Sequence, residues 1–247
     1  MSDMSVKKSS GFVETVRTVV YAVLIAVVIR TFAYEPFNIP SGSMVPTLLI
    51  GDYLFVSKLS YGYSRHSLPF GLPLFDGRIW ATPPERGDVA VFKLPTDGKT
   101  DYIKRIVGLP GDRLQVVGGI LRINGEPVRR ERIEDYLAGS GSDTVYTQYI
   151  ETLPNGVAHR IIERSDDASL DDTGVYVVPP DHYFAMGDNR DNSQDSRVLD
   201  AVGFIPAANL VGRAEILFFS TDGSARLWEV WKWPGAIRFG RLFDPVG

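Results

Sequence analysis

Between Arg17 and Arg30 the chain runs through twelve uncharged residues, eleven of which form the apolar stretch VVYAVLIAVVI at 19–29. No other feature restricts the fold as much, because so continuous an apolar surface must be removed from water. As an α-helix the uncharged centre covers about 18 Å of a hydrocarbon layer of about 30 Å. Phe12, Val13, Thr31, Phe32 and Ala33 extend it to a full span if Glu14, Arg17 and Arg30 sit at the two interfaces. Three readings compete. A cleaved secretory leader would use Lys7 and Lys8 as its basic region, but Arg30-Thr31-Phe32-Ala33 puts Thr at the outer position of an A-x-A site. A buried helix or strand of a soluble core is allowed by length. An uncleaved anchor is the reading adopted. Lys7, Lys8 and Arg17 precede the run and Glu35 with an acidic body follows it, which places the N-terminus in the cytoplasm and everything after about residue 34 outside.

From Tyr34 onward the pattern changes to short apolar runs at 53–56, 89–93, 102–107 and 114–117, which predict strands. The 24 Gly and 16 Pro supply many turns and argue against an all-helical bundle. LRINGEPV at 121–128 sets Asn-Gly between two apolar runs, a strong hairpin signature, and a further strand is predicted at 175–178. Residues 131–172 are polar and acidic with Gly-Ser-Gly-Ser at 139–142, and read as an elaborated loop or small subdomain. The resulting division is a cytoplasmic tail at 1–11, a transmembrane anchor at 12–33, a β body of 34–112 and 180–247, and an inserted small β subdomain at 113–179. Near the C-terminus RLWEVWKWP at 226–234 gathers three of the four tryptophans, suiting either a membrane interface or a helix packed on the sheet with its rings buried.

Composition removes several chemistries. With 26 Lys and Arg against 30 Asp and Glu the net charge is −4, so no nucleic-acid partner is expected. The absence of cysteine excludes disulfides, thiolate nucleophiles and thiolate metal sites. His66, His159 and His182 form no close pair of the HExxH kind, so no metal site and no cofactor are expected. His182 follows Pro179-Pro180-Asp181 and reads as a turn or strand-end residue. Gly98-Lys99-Thr100 ends like a phosphate loop, but Lys93 occupies its leading glycine position. There is no G-x-S-x-G elbow.

Three segments remain. In EPFNIPSGSMVPTL at 35–48 two prolines bracket a Ser-Gly-Ser-Met turn, which is either an ordinary surface turn or a pre-organised loop presenting a hydroxyl nucleophile. In DYIKRIVGLPGD at 101–112 alternation sends Tyr102, Lys104 and Ile106 to one face of a strand and Ile103, Arg105 and Val107 to the other. Lys104 either points to water or, if buried, becomes a neutral amine able to deprotonate a serine. MGDNRDNSQDSR at 186–197 fails the calcium-loop spacing, because Arg190 stands where an Asp or Asn is needed, and is better read as a loop shaped by ion pairs.

Together PSGSMVPTL at 40–48, RGDVAVFK at 86–93 with DYIKRIVGLPGD at 101–112, and GDNRDNSQDSR at 187–197 resemble the successive motif boxes of bacterial type I signal peptidase, a membrane-bound serine protease family. The resemblance implies a mainly β fold, with an antiparallel catalytic sheet, an inserted β subdomain and one preceding transmembrane helix. It also implies a Ser/Lys dyad acting through an acyl-enzyme, with Ser43 as nucleophile and Lys104 as general base. Ser41 then supplies its hydroxyl, with the Ser43 N–H, to an oxyanion hole, and Ser193 orients the lysine amine. Asp195 and Arg197 match a supporting ion pair, while Phe37, Ile39, Leu48, Val91, Tyr102 and Ile103 match clefts for small substrate side chains. The partners implied are preprotein signal peptides, cut after Ala-X-Ala type sites, and membrane lipid. The location implied is the bacterial inner membrane, crossed once, with the catalytic body on the periplasmic side.

Overall fold

The computed structural model describes residues 8–67, 77–138, 144–225 and 228–247. Lys7, the Gly-Ser-Gly-Ser at 139–142 and the start of the tryptophan-rich stretch at 226–227 lie outside the described residues. Helix α1 (Lys8–Phe32) comes first. Its segment Gly11–Phe32 holds 22 residues with a mean hydropathy of 2.1, and none of the apolar window is buried against the protein. At 1.5 Å per residue this reaches about 33 Å, enough to cross a hydrocarbon layer. The soluble-core reading of the apolar run is therefore overturned, since among the described residues the helix meets the body only at its last turn.

Strands β1 (Tyr34–Asn38), β2 (Asp52–Ser57), β3 (Tyr63–Ser64), β4 (Arg78–Ile79), β5 (Val89–Lys93) and β6 (Asp101–Gly108) follow. Next come β7 (Arg113–Val117), β8 (Ile120–Ile123), β9 (Glu126–Pro127), β10 (Arg129–Arg132), β11 (Tyr136–Leu137), β12 (Val145–Thr152), β13 (Ala158–Glu163) and β14 (Tyr176–Val177). The chain returns through β15 (His182–Met186), β16 (Ile205–Pro206) and β17 (Leu210–Ser220), and a short helix α2 (Trp233–Ala236) lies near the end. Seven strands form one antiparallel sheet in the order β1-β2-β17-β5-β6-β15-β16. Between β6 and β15 the chain builds two smaller sheets, β14-β7-β8-β9 and β10-β12-β11 with β13 paired to β12. The Asn-Gly hairpin stands between β8 and β9, where Asn124 and Gly125 take φ of 57° and 91° as a primed turn requires.

The apolar interior is continuous across these sheets. Ile39, Met44, Leu48, Leu54, Val56, Val89, Val91 and Leu217 pack on one side of the large sheet, under the turn that carries Ser43. Val107, Phe184 and Met186 share a second cluster with Leu114, Val116, Leu121 and Leu153 from the smaller sheets. The tryptophan-rich stretch does not pack as a buried helix. Trp228 and Trp231 are 67% and 71% exposed, while the chain beyond them is held down by the buried Ala236 and by Arg238 and Arg241, which reach the buried Asp52.

Candidate active site

The turn after β1 is fixed from below. Met44 and Leu48 are fully buried, Leu48 N–H donates to the Met44 carbonyl at 2.9 Å, and Gly51 N–H closes the loop onto the Ile39 carbonyl at 3.0 Å. Two apolar anchors and a closed loop leave Ser43 between them, 8% exposed at the surface of the core. The turn is thus no ordinary solvated surface turn.

Strand β6 brings Lys104 to it. Both faces of this strand are covered, so Lys104 and Arg105 are each buried, at 4% and 0% exposure, and the water-facing reading of Lys104 is overturned. Lys104 pairs across the ladder with Ala90, whose small side chain leaves room for the lysine stem. The Lys104 Nζ donates to Ser43 Oγ at 2.8 Å and to the Ile103 carbonyl at 3.0 Å, and lies 5.2 Å from the centre of the Tyr102 ring. Burial pushes the amine down to about 8, against the pull of the Asp195 and Asp188 charges. Ser41 is exposed, with its Oγ 3.4 Å from that of Ser43. The Ser43 N–H makes no hydrogen bond among the described residues, so a backbone donor and the Ser41 hydroxyl both stand within reach of the nucleophile candidate.

The polar loop after β15 locks the turn from the other side. Asn189 N–H donates to the Ser43 carbonyl at 3.1 Å, and its Nδ2 donates to the Gly42 carbonyl at 3.0 Å. Asp188 receives Arg105 in a two-point bond of 2.9 and 2.8 Å, and Thr47 Oγ1 donates to it at 2.5 Å. Burial works to raise the Asp188 carboxyl, but Arg105 holds it below its ordinary value. Asp195 and Arg197 form a second two-point pair at 2.9 and 2.9 Å, both buried, and Asp195 also accepts the Gly187 N–H at 3.0 Å. Here too burial alone would raise the carboxyl, and Arg197 keeps it low. Gly187 is required by space: a Cβ there would sit 2.2 Å from Ser193 Oγ and 2.5 Å from the Ser43 carbonyl oxygen.

The resemblance-based placements divide. Ser43, Lys104 and Ser41 come together, and Asp195 pairs with Arg197. The hydrogen bond from Ser193 to the lysine is not formed: the Ser193 hydroxyl is buried and completes no hydrogen bond, although it stands close enough to Asp195 to favour that carboxylate. Among the cleft residues, Phe37 and Ile103 are half-buried against the cluster that Ile39, Leu48 and Val91 complete from beneath. Tyr102 is half-buried and donates to Gln194 Oε1 at 3.3 Å. Three of the six are therefore a floor and three a partly open rim.

Arg105, Asp188, Asn189 and the support behind them carry no signal in the sequence alone that marks them as part of the site. Arg190 grips Glu151 of β12 at 2.9 and 2.5 Å, and His159 of β13 lies 3.4 Å from the same carboxylate. Only pairing across the fold reveals these contacts, since the partners lie 39 and 8 positions apart with no local spacing rule. His66 and His182 stand away from the dyad, the latter with Nδ1 2.8 Å from the Pro180 carbonyl. Among the described residues no group of three or more His, Cys, Asp or Glu is placed to hold a metal ion.

Comparison with known proteins identifies the family of the chain. Residues 12–219 match the family described as signal peptidase, peptidase S26. A protein named signal peptidase I from Rickettsia typhi is 43% identical over 209 residues, 81% of this chain and 78% of that protein. One of the same name from Rickettsia canadensis is 44% identical over 209 residues, covering 81% and 77%. A crystal structure of a signal peptidase I from Enterococcus faecalis V583 is 25% identical, with a TM-score of 0.32, over 53% of this chain and 97% of that one.

Proposed function

The chain belongs to the signal peptidase family, peptidase S26, and is a serine endopeptidase that removes signal peptides; from that premise we propose that it works by a Ser43/Lys104 dyad. The observation that carries this reading is the buried amine 2.8 Å from a buried hydroxyl, with its proton affinity already lowered by desolvation. A serine hydroxyl attacks poorly near neutral pH, and a neutral lysine is a base that can take its proton.

The steps follow from this arrangement. Lys104 accepts the Ser43 proton as Ser43 Oγ attacks the scissile carbonyl carbon. The resulting oxyanion receives the free Ser43 N–H and the Ser41 hydroxyl. The lysine ammonium returns its proton to the leaving amine nitrogen, the C–N bond breaks, and an acyl-Ser43 ester remains. A water molecule then attacks the ester, passing its proton to Lys104, and Ser43 recovers its hydrogen as the acid product leaves. Asp195 with Arg197 fixes the loop that holds the Ser43 backbone through Asn189, and the buried Ser193 fills the space beside Gly187. Phe37, Tyr102 and Ile103, over a floor of Ile39, Leu48 and Val91, form a partly buried apolar surface that suits uncharged substrate side chains such as those of Ala-X-Ala type sites.

Helix α1 serves as the single membrane anchor. Its basic N-terminal flank supports a cytoplasmic N-terminus, with the β body on the periplasmic side of a bacterial inner membrane. Anchoring enzyme and preprotein in one bilayer raises their effective concentration. The dyad is tested by acid-quenching a reaction with a preprotein and mapping the covalent acyl group by mass spectrometry. Acylation of Ser43 that disappears in Ser43→Ala and Lys104→Met agrees with it; an acyl group on another residue, or one formed at the wild-type rate in Lys104→Met, contradicts it.

A further inference from the structure

The end of the membrane helix is satisfied by the protein body itself. A helix leaves its last carbonyls without partners inside the helix, and at a membrane surface water ordinarily takes them. Here Lys58 Nζ donates to the Arg30 carbonyl at 3.1 Å, and the Tyr63 hydroxyl donates to the Phe32 carbonyl. The Lys58 backbone N–H takes the next carbonyl, that of Ala33, at 2.9 Å. Lys58 is 3% exposed and its amine also lies 3.0 Å from Glu35, which in turn is 3.7 Å from Arg30. The Phe32 and Tyr63 rings meet edge to face at 6.2 Å. No linker separates the two parts, since β1 begins at Tyr34 and pairs immediately with Ser57, the neighbour of Lys58.

We propose that Lys58 and Tyr63 are positioning residues that lock the membrane helix to the catalytic body, setting the height and orientation at which the dyad meets a substrate held in the same bilayer. The proposal rests on the reading of α1 as an anchor and of the chain as a signal peptidase. A buried cation at a helix C-terminus is favoured by the helix dipole, and two side chains from separate positions in the body resist rotation in a way one peptide link cannot. Lys58 directly follows β2 and Tyr63 lies on β3, whereas the dyad sits on the turn after β1 and on β6. Misplacement of reacting groups by about 1 Å can cost about 100-fold, so a hinge at residue 33 would be felt wherever the substrate cannot follow the enzyme.

The test compares two substrates with the full-length protein in liposomes. One is a short water-soluble peptide with an Ala-X-Ala site, and the other is a preprotein reconstituted in the same vesicles. For the double variant Lys58→Met/Tyr63→Phe we expect peptide kcat/KM within about twofold of wild type and preprotein kcat/KM lower by about tenfold. Lys58→Arg, which keeps a cationic donor, should retain most preprotein cleavage. Equal losses on both substrates would show a defect in the body and overturn the proposal, as would unchanged preprotein cleavage. A wild-type protein that cleaves neither substrate would instead overturn the functional reading on which the proposal stands.

Discussion

At the scale of single residues the chemistry turns on one buried amine. Lys104 gives up its proton at about 8 because it is desolvated, so kcat/KM should fall as pH drops below about 8 and level off above it. A profile flat from pH 6 to 9 would remove Lys104 as the base. The same desolvation costs stability. An unfolded lysine keeps its proton up to about 10.5 and the folded one only up to about 8, so the penalty is complete below 8 and fades as pH rises to 10.5. At about 1.4 kcal/mol per unit, Lys104→Met should stabilise the protein at pH 7 by up to about 3 kcal/mol. Chemical denaturation at pH 7 and at pH 10 measures this, and a variant less stable than wild type at pH 7 would contradict the assignment. A residue that loses activity and gains stability on replacement is strained for function.

At the scale of elements the site is a junction of a turn, a strand and a loop. Asn189 holds the carbonyls of Gly42 and Ser43, and Gly187 lets the loop approach closely enough to do so. Gly187→Ala should therefore lower kcat by about 100-fold, whereas Gly174→Ala, whose Cβ meets nothing within 4 Å, should leave it unchanged. Steady-state kinetics on both variants decides. Strands written as apolar runs bounded by turn residues were legible: the run at 89–93 coincides with β5, those at 102–107 and 114–117 with β6 and β7, and Asn124-Gly125 with a turn. The hairpin of β12 and β13 was not, because its buried positions include Gln148, Glu151, His159 and Glu163, which break any hydrophobic period. Strand β17 was missed for a related reason, since register shifts near Ala214 and Leu217 interrupt its period of two. Ser43 and Lys104 could be found from motif boxes, but Arg105 paired with Asp188 shows only when β6 and the loop after β15 are side by side.

At the scale of the whole molecule, an apolar helix and an aromatic tail bracket a β body. The tail has exposed tryptophans but a tethered backbone, so substitution probes it better than deletion. With residues 1–33 removed, Trp228→Ser/Trp231→Ser should reduce binding to lipid vesicles at least about fivefold without changing Tm; unchanged binding would take the tail off the membrane. The central claim, that this assembly cuts preproteins by a Ser/Lys dyad, is tested most directly on the full-length protein in liposomes with a preprotein bearing an Ala-X-Ala site, the cut position being read by mass spectrometry. Cleavage after the last Ala is expected from wild type and from neither Ser43→Ala nor Lys104→Ala. Cleavage by Lys104→Ala at the wild-type rate, or no cleavage by folded wild type, would contradict it.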